Sequence, residues 1–80
     1  MTKLLSEFII GEQGTIINVK GEGKVRRRLF DMGVTPGAHV LLKKKAPLGD
    51  PLEVTIRGYE LTLRKNEAEL VLVELIEEED

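Results

Sequence analysis

Few side chains in this 80-residue chain have the type and spacing that chemistry requires. There is one histidine, His39, one serine, Ser6, and no cysteine. Nucleophilic catalysis needs a nucleophile, a base and a group that orients the base. Ser6 and His39 lie in separate segments, and no third member accompanies either. His39 falls in a strand just after a turn, where an ordinary surface or half-buried residue would sit. Metal binding would have to draw on His39 with Asp31 or Asp50. His39 and Asp31 are thus the metal candidates, at a spacing that matches no ligand motif. Gly21-Glu22-Gly23-Lys24 invites a phosphate-loop reading. A Walker A loop needs a glycine five residues before the Gly-Lys pair and a hydroxyl residue after it; this chain has Asn18 and Val25 there. A dinucleotide fingerprint fails as well, because Arg26 stands where its third glycine belongs. The sequence predicts no catalytic residue, no enzyme and no cofactor, and these glycines read as a flexible strand-to-helix connection.

What remains is recognition by contact. Arg26-Arg27-Arg28 and Lys43-Lys44-Lys45 form two basic clusters. They read as solvated faces, as a docking surface for a protein partner, or as a nucleic-acid footprint. The last is disfavoured, because Phe8, Phe30 and Tyr59 are the only aromatics and none forms a platform with the basic runs. Asp31 closes a helix, where the dipole disfavours negative charge by about 0.3–1 kcal/mol; Arg27 or Arg28, one turn back, is expected to offset it. Leu48 falls at the tip of Pro47-Leu48-Gly49-Asp50-Pro51. It is either an exposed apolar anchor or a lid folded over the end of the sheet. Asp50 is expected to cap its own turn.

Composition sets the frame. Apolar residues make up 41%, enough for one core and one small domain. No apolar run approaches the roughly 20 residues that span a bilayer, and the first residues lack a secretory h-region, so a cytoplasmic location is expected. Twelve basic against fourteen acidic side chains give a net charge of −2, which speaks against general nucleic-acid binding. Residues 1–76 read as the domain and 77–80, Glu-Glu-Glu-Asp, as a flexible acidic tail or a docking peg.

Breakers at roughly ten-residue intervals cut the chain into short strands. Leu4 to Ile10 is a helical turn or an extended arm whose apolar side chains must dock on the core. Gly11 to Gly14 reads as a turn, Thr15 to Lys20 as a strand, and Lys24 to Met32 as the one clear helix, with Val25, Leu29 and Met32 on one face. Gly33 is its left-handed stop. Thr35-Pro36-Gly37-Ala38 has type II turn chemistry. Strands follow over Ala38 to Ala46 and Leu52 to Ile56. The latter turns at Gly58 into Tyr59 to Leu63, with apolar and polar residues alternating. Asn66 with Glu69 suggests a capping box for one helical turn. Leu70 to Ile76 closes the sheet. The expectation is a mainly β, five-stranded SH3-like barrel, with one short helix between its first two strands and a helical turn before the last.

Three strings in this order carry a wider resemblance: Arg28-Leu29-Phe30-Asp31-Met32-Gly33-Val34-Thr35-Pro36-Gly37, then Ala46-Pro47-Leu48-Gly49-Asp50-Pro51, then Arg57-Gly58-Tyr59-Glu60-Leu61-Thr62-Leu63-Arg64-Lys65-Asn66-Glu67-Ala68. Together they resemble the ferrous iron transport protein A (FeoA) family, over Leu4 to about Leu75. The resemblance implies an SH3-like accessory protein in the cytoplasm that binds, and regulates or assembles, the FeoB-type ferrous iron permease. It would reach the membrane only through that partner, with self-association as a further option. The fold is also similar to the C-terminal domain of iron-dependent repressors, which keeps a metal-responsive regulatory role as an alternative. Gly11-x-x-Gly14 before a β-branched strand resembles KOW domains, which keeps a nucleic-acid module as another. On the leading reading, Leu48 is the anchor, Arg26, Arg27 and Lys44 steer by charge, and Gly33, Pro36, Gly37, Pro47, Gly49 and Asp50 fix the backbone.

Overall fold

The computed structural model describes residues 1–76; the acidic run 77–80 lies outside them. Six antiparallel strands form one sheet: β1 (Thr2–Leu4), β2 (Gln13–Val19), β3 (His39–Lys45), β4 (Leu52–Ile56), β5 (Tyr59–Leu63) and β6 (Val71–Leu75). Their order is β1-β6-β2-β3-β4-β5, so β2 to β5 run as a meander and β6 inserts between β1 and β2. Helix α1 (Gly23–Asp31) connects β2 to β3, and the single turn α2 (Lys65–Ala68) connects β5 to β6.

The mainly β architecture and the placement of both helices agree with expectation. The strand count does not: six replace five, because Thr2–Leu4 pairs with β6 through Thr2↔Glu74, Lys3↔Val73 and Leu4↔Leu72. Nor does the ladder close. Among the described residues β1 and β5 each have a neighbour on one side only, so the edges survive.

Alternation explains the core. Leu52, Val54 and Ile56 of β4 are buried with Val40 and Leu42 of β3, Ile16 and Val19 of β2, and Val71 and Val73 of β6. Leu29 of α1, Val34, Leu5, Phe8 and Leu63 fill the space between. Within Leu4 to Ile10 the helical-turn alternative forms, as a 3₁₀ turn at Leu5–Glu7 that directly follows β1. It delivers Leu5 and Phe8 to the core, but Ile9 and Ile10 stay exposed, against expectation. Their segment passes over the sheet margin, where the Gly11 N–H bonds the Leu42 carbonyl at 2.9 Å. Tyr59 is also exposed, at the open end of its strand, although Leu61 and Leu63 on the same face become progressively buried.

The helix stop forms as its sequence predicts. Val34 N–H bonds the Leu29 carbonyl at 2.9 Å and Gly33 N–H bonds that of Phe30 at 3.0 Å, with Gly33 at φ 92°. This paired pattern terminates a helix on a left-handed residue. The Thr35–Ala38 turn closes through Ala38 N–H to the Thr35 carbonyl at 3.0 Å. Gly14, by contrast, is not a turn residue. It lies buried inside β2, where a Cβ would run into the Glu74 carbonyl and come within 2.8 Å of Val73 Cγ1. Glycine is required there so that β2 and β6 can meet, which removes the Gly-x-x-Gly loop on which the KOW resemblance rested.

Candidate partner-binding site

The loop between β3 and β4 presents Leu48 with 90% of its surface accessible, so the lid alternative does not apply. The tip is braced from behind. Gly49 N–H bonds the Ala46 carbonyl at 2.7 Å, and Ala46 N–H bonds the Pro51 carbonyl at 3.0 Å. Asp50 does not cap its own turn. Its Oδ1 accepts from the Lys65 N–H at 3.1 Å, the first residue of α2. The loop is therefore tied to a helix fifteen residues downstream, a long-range partner that local turn chemistry does not indicate.

The lysine triplet splits by pleat and bulge into three roles. Lys43 Nζ lies 3.6 Å from Glu60 Oε1 across the sheet face. Lys44 is exposed beside the loop and opposite Glu53. Lys45 turns inward and donates to the Ser6 and Phe8 carbonyls at 3.1 and 3.0 Å, clamping the N-terminal segment. Of the three, Lys44 is the cation left on the surface near Leu48.

The arginine triplet divides likewise. Arg26 donates through Nε to the Val19 carbonyl at 3.1 Å, and its guanidinium lies 4.4 Å from the centroid of the Phe30 ring. It is thus a fixed cation. Arg27 is exposed. Arg28 Nη1 pairs at 3.3 Å with Glu67 Oε2 rather than with Asp31. Glu67 is the one buried charged residue among those described, 5% accessible, and its Oε1 accepts from the Arg64 N–H at 2.9 Å. This carboxylate caps α2 from within. The cap frame is accordingly Arg64 and Glu67, two residues before the expected Asn66 and Glu69. Asn66 has the better side chain for capping, but the frame is decided by burial of Ala68 and Glu67 against the core.

Leu48 and Lys44 thus belong to one surface, and Arg26 and Arg27 to another on α1. Among the described residues no hydrogen bond or ion pair joins the two groups directly. Both are held by α2, through Asp50 on one side and Arg28 on the other. A cleft of about 390 Å³ between α1 and α2 has Val25 and Leu70 against Arg28 and Arg64. Arg57 anchors the far end of α1. It adopts φ 52° in the two-residue β4–β5 turn and donates from Nη2 to Thr35 Oγ1 at 2.6 Å and from Nε to the Gly33 carbonyl at 3.3 Å. Arg57 and Lys45 act on backbone groups distant in sequence, and Glu67 pairs with Arg28 on the other helix, so no local pattern marks these roles.

The metal candidates do not converge. His39 Nε2 is 2.8 Å from Gln13 Oε1 on the exposed strand surface. Among the described residues no three His, Cys, Asp or Glu side chains come close enough to hold a metal ion. Nor is any helix among them long and apolar enough to cross a membrane.

Fold and surface together define a small SH3-like domain, with a braced apolar tip and a cationic helix. Residues 3–75 match the FeoA domain family, and the chain belongs to it. A Porphyromonas gingivalis Fe(2+) transport protein A/Fe(2+) transporter FeoB fusion protein is 39% identical over 72 residues, covering 90% of this chain. The chain spans only 8% of that relative's length. The solution structure of a FeoA-like protein from Clostridium acetobutylicum is 40% identical, with a TM-score of 0.88, and the match covers 99% of this chain and 92% of that one. The crystal structure of Stenotrophomonas maltophilia FeoA complexed with zinc is 31% identical, with a TM-score of 0.78, over 92% of this chain and 89% of that one. That protein is described as a prokaryotic SH3-domain protein and put forward as a ferrous iron transport activating factor.

Proposed function

We propose that this chain is a non-enzymatic accessory protein of ferrous iron uptake, working in the cytoplasm by docking on the cytoplasmic part of a FeoB-type permease. The observation that carries this reading is Leu48, an apolar side chain 90% exposed on a loop whose backbone is already fixed. A solitary apolar side chain in water gains by burial, and a pre-ordered loop loses little entropy on docking. The fused relative supports the choice of partner, since it joins the two kinds of chain in one polypeptide. Lys44 beside the tip and Arg26 and Arg27 on α1 steer the encounter by charge.

The test is titration of the permease's cytoplasmic part with wild-type chain, Leu48→Ala and Arg27→Glu. An anchor residue is worth more than about 1 kcal/mol, so Leu48→Ala should raise Kd at least roughly fivefold. Arg27→Glu should slow association and weaken its dependence on salt. If both variants, with the fold intact, bind as wild type does, the docking surface is misplaced.

A further inference from the structure

We infer that the outer edge of β5 is a docking site for a second copy of this chain, through a two-fold antiparallel continuation of the sheet. Among the described residues strand β5 pairs with β4 alone, in the register Leu52↔Leu63, Val54↔Leu61 and Ile56↔Tyr59. The two-residue turn makes Ile56 and Tyr59 a hydrogen-bonded pair. By alternation the main-chain groups of Leu61 and Leu63 also face β4, and those of Glu60 and Thr62 face outward. Among the described residues, no other backbone or side-chain group takes them.

The two sheet edges differ in how they are protected. β1 is three residues long and carries Lys3, which is paired with Glu12 at 2.9 Å. Short length and an edge lysine both discourage pairing with another chain. β5 has five residues in uninterrupted register with β4, with no proline, no lysine and no bulge, and it bears Tyr59 with 71% of its surface exposed. An edge of that kind is a template for a further strand.

The edge is also complementary to itself. With a two-fold axis at Leu61, Glu60 of one copy faces Thr62 of the other, and each pair exchanges both main-chain bonds, using every free group on both edges. Tyr59 then lies opposite the second copy's Leu63 and covers the half-buried Leu61. Shifting the axis to Glu60 would set the two Glu60 side chains directly against each other, which is unfavourable. Shifting it to Thr62 would need the Arg64 main chain, whose N–H is already given to Glu67 and whose carbonyl already accepts from the Glu67 and Ala68 N–H groups. One register satisfies the edge. So short a junction falls below the area of a standard stable interface, so the dimer should be weak and concentration-dependent.

Sedimentation equilibrium of the full chain from about 10 µM to 1 mM, with amide NMR shifts over the same range, tests this. The expected result is a shift from monomer toward dimer, with the largest concentration-dependent changes at the Glu60 and Thr62 amides. Thr62→Pro removes an outward N–H without touching the β4 ladder, and Tyr59→Lys places a charge at the contact; each should keep the chain monomeric across the range. Should Thr62→Pro disturb folding, Tyr59→Lys at an exposed position decides alone. A wild-type chain that stays monomeric at 1 mM, or a dimer that Tyr59→Lys leaves intact, overturns the inference.

Discussion

Replacing Glu67 by alanine asks whether the buried carboxylate, rather than its partly exposed ion pair, holds α2 in place. Glu67 is 5% accessible, and its Oε1 takes the Arg64 N–H at 2.9 Å. Loss of a capping acceptor costs about 1 kcal/mol, and a hydrogen bond to a charged acceptor contributes about 1.5–3 kcal/mol. These describe overlapping parts of one loss, and the abandoned Arg64 N–H adds to it, so about 2–3 kcal/mol is expected for Glu67→Ala. Arg28 is the other partner, at 3.3 Å, but its side chain is 62% exposed and returns to water when released. Arg28→Ala removes the ion pair but leaves the cap bond in place, so it should cost less than Glu67→Ala. Glu67→Gln keeps an oxygen for the Arg64 N–H and should fall between the two. Urea unfolding near pH 7 reads these losses as shifts in midpoint at unchanged slope. In a domain of this size they correspond to about 8–24 °C in Tm for Glu67→Ala. If Glu67→Ala lies within about 0.5 kcal/mol of wild type, or Arg28→Ala is as damaging, the capping account fails.

Two other expectations follow from neighbouring features. Arg57 holds a left-handed conformation, φ 52°, which costs an ordinary residue about 1–2 kcal/mol. Alanine there would lose the bonds to Gly33 and Thr35 and keep that strain, whereas glycine would lose the bonds and relieve it; thermal melts should place Arg57→Ala below Arg57→Gly, and equal melts would count against the strain. The Glu12 carboxyl is held below its usual range, first by the Ile9 N–H and then by Lys3. Its stabilising contribution is complete above about pH 4.5, the ordinary value, and is lost as pH falls through the lowered folded value. Glu12→Gln should thus be less stable at neutral pH and lose less below 4.5; parallel stability–pH curves would contradict this.

The parts of the fold that could be read in advance are those whose cause is local. The β4–β5 hairpin shows itself through period-two alternation, and the end of α1 through a glycine that must be left-handed. What escaped depends on partners far along the chain. Thr2–Leu4 carries no alternation of its own and is a strand only because β6 lies beside it. Gly14 resembles a turn residue until the Glu74 backbone is placed against it. Asn66 outranks Arg64 as a cap by side-chain chemistry, but the frame is set by which residues the core buries. At the candidate site, Leu48 stood out through its loop chemistry. The means of bracing it, Asp50 onto Lys65, joins two loops with no shared pattern.

Strand β6 is the last of the described strands to be synthesised, yet it lies inside the sheet, flanked by β1 and β2. A nascent chain that has emerged only as far as Leu70 can form the meander from β2 to β5, but β1 has no neighbour and the β2 margin through Gly14 and Ile16 is bare. Such distant pairings form slowly, because the intervening loop must close before any contact rewards it. Completion therefore waits until β6 has emerged, and the interval before that final zippering is when this small domain is most exposed to aggregation and most dependent on chaperones.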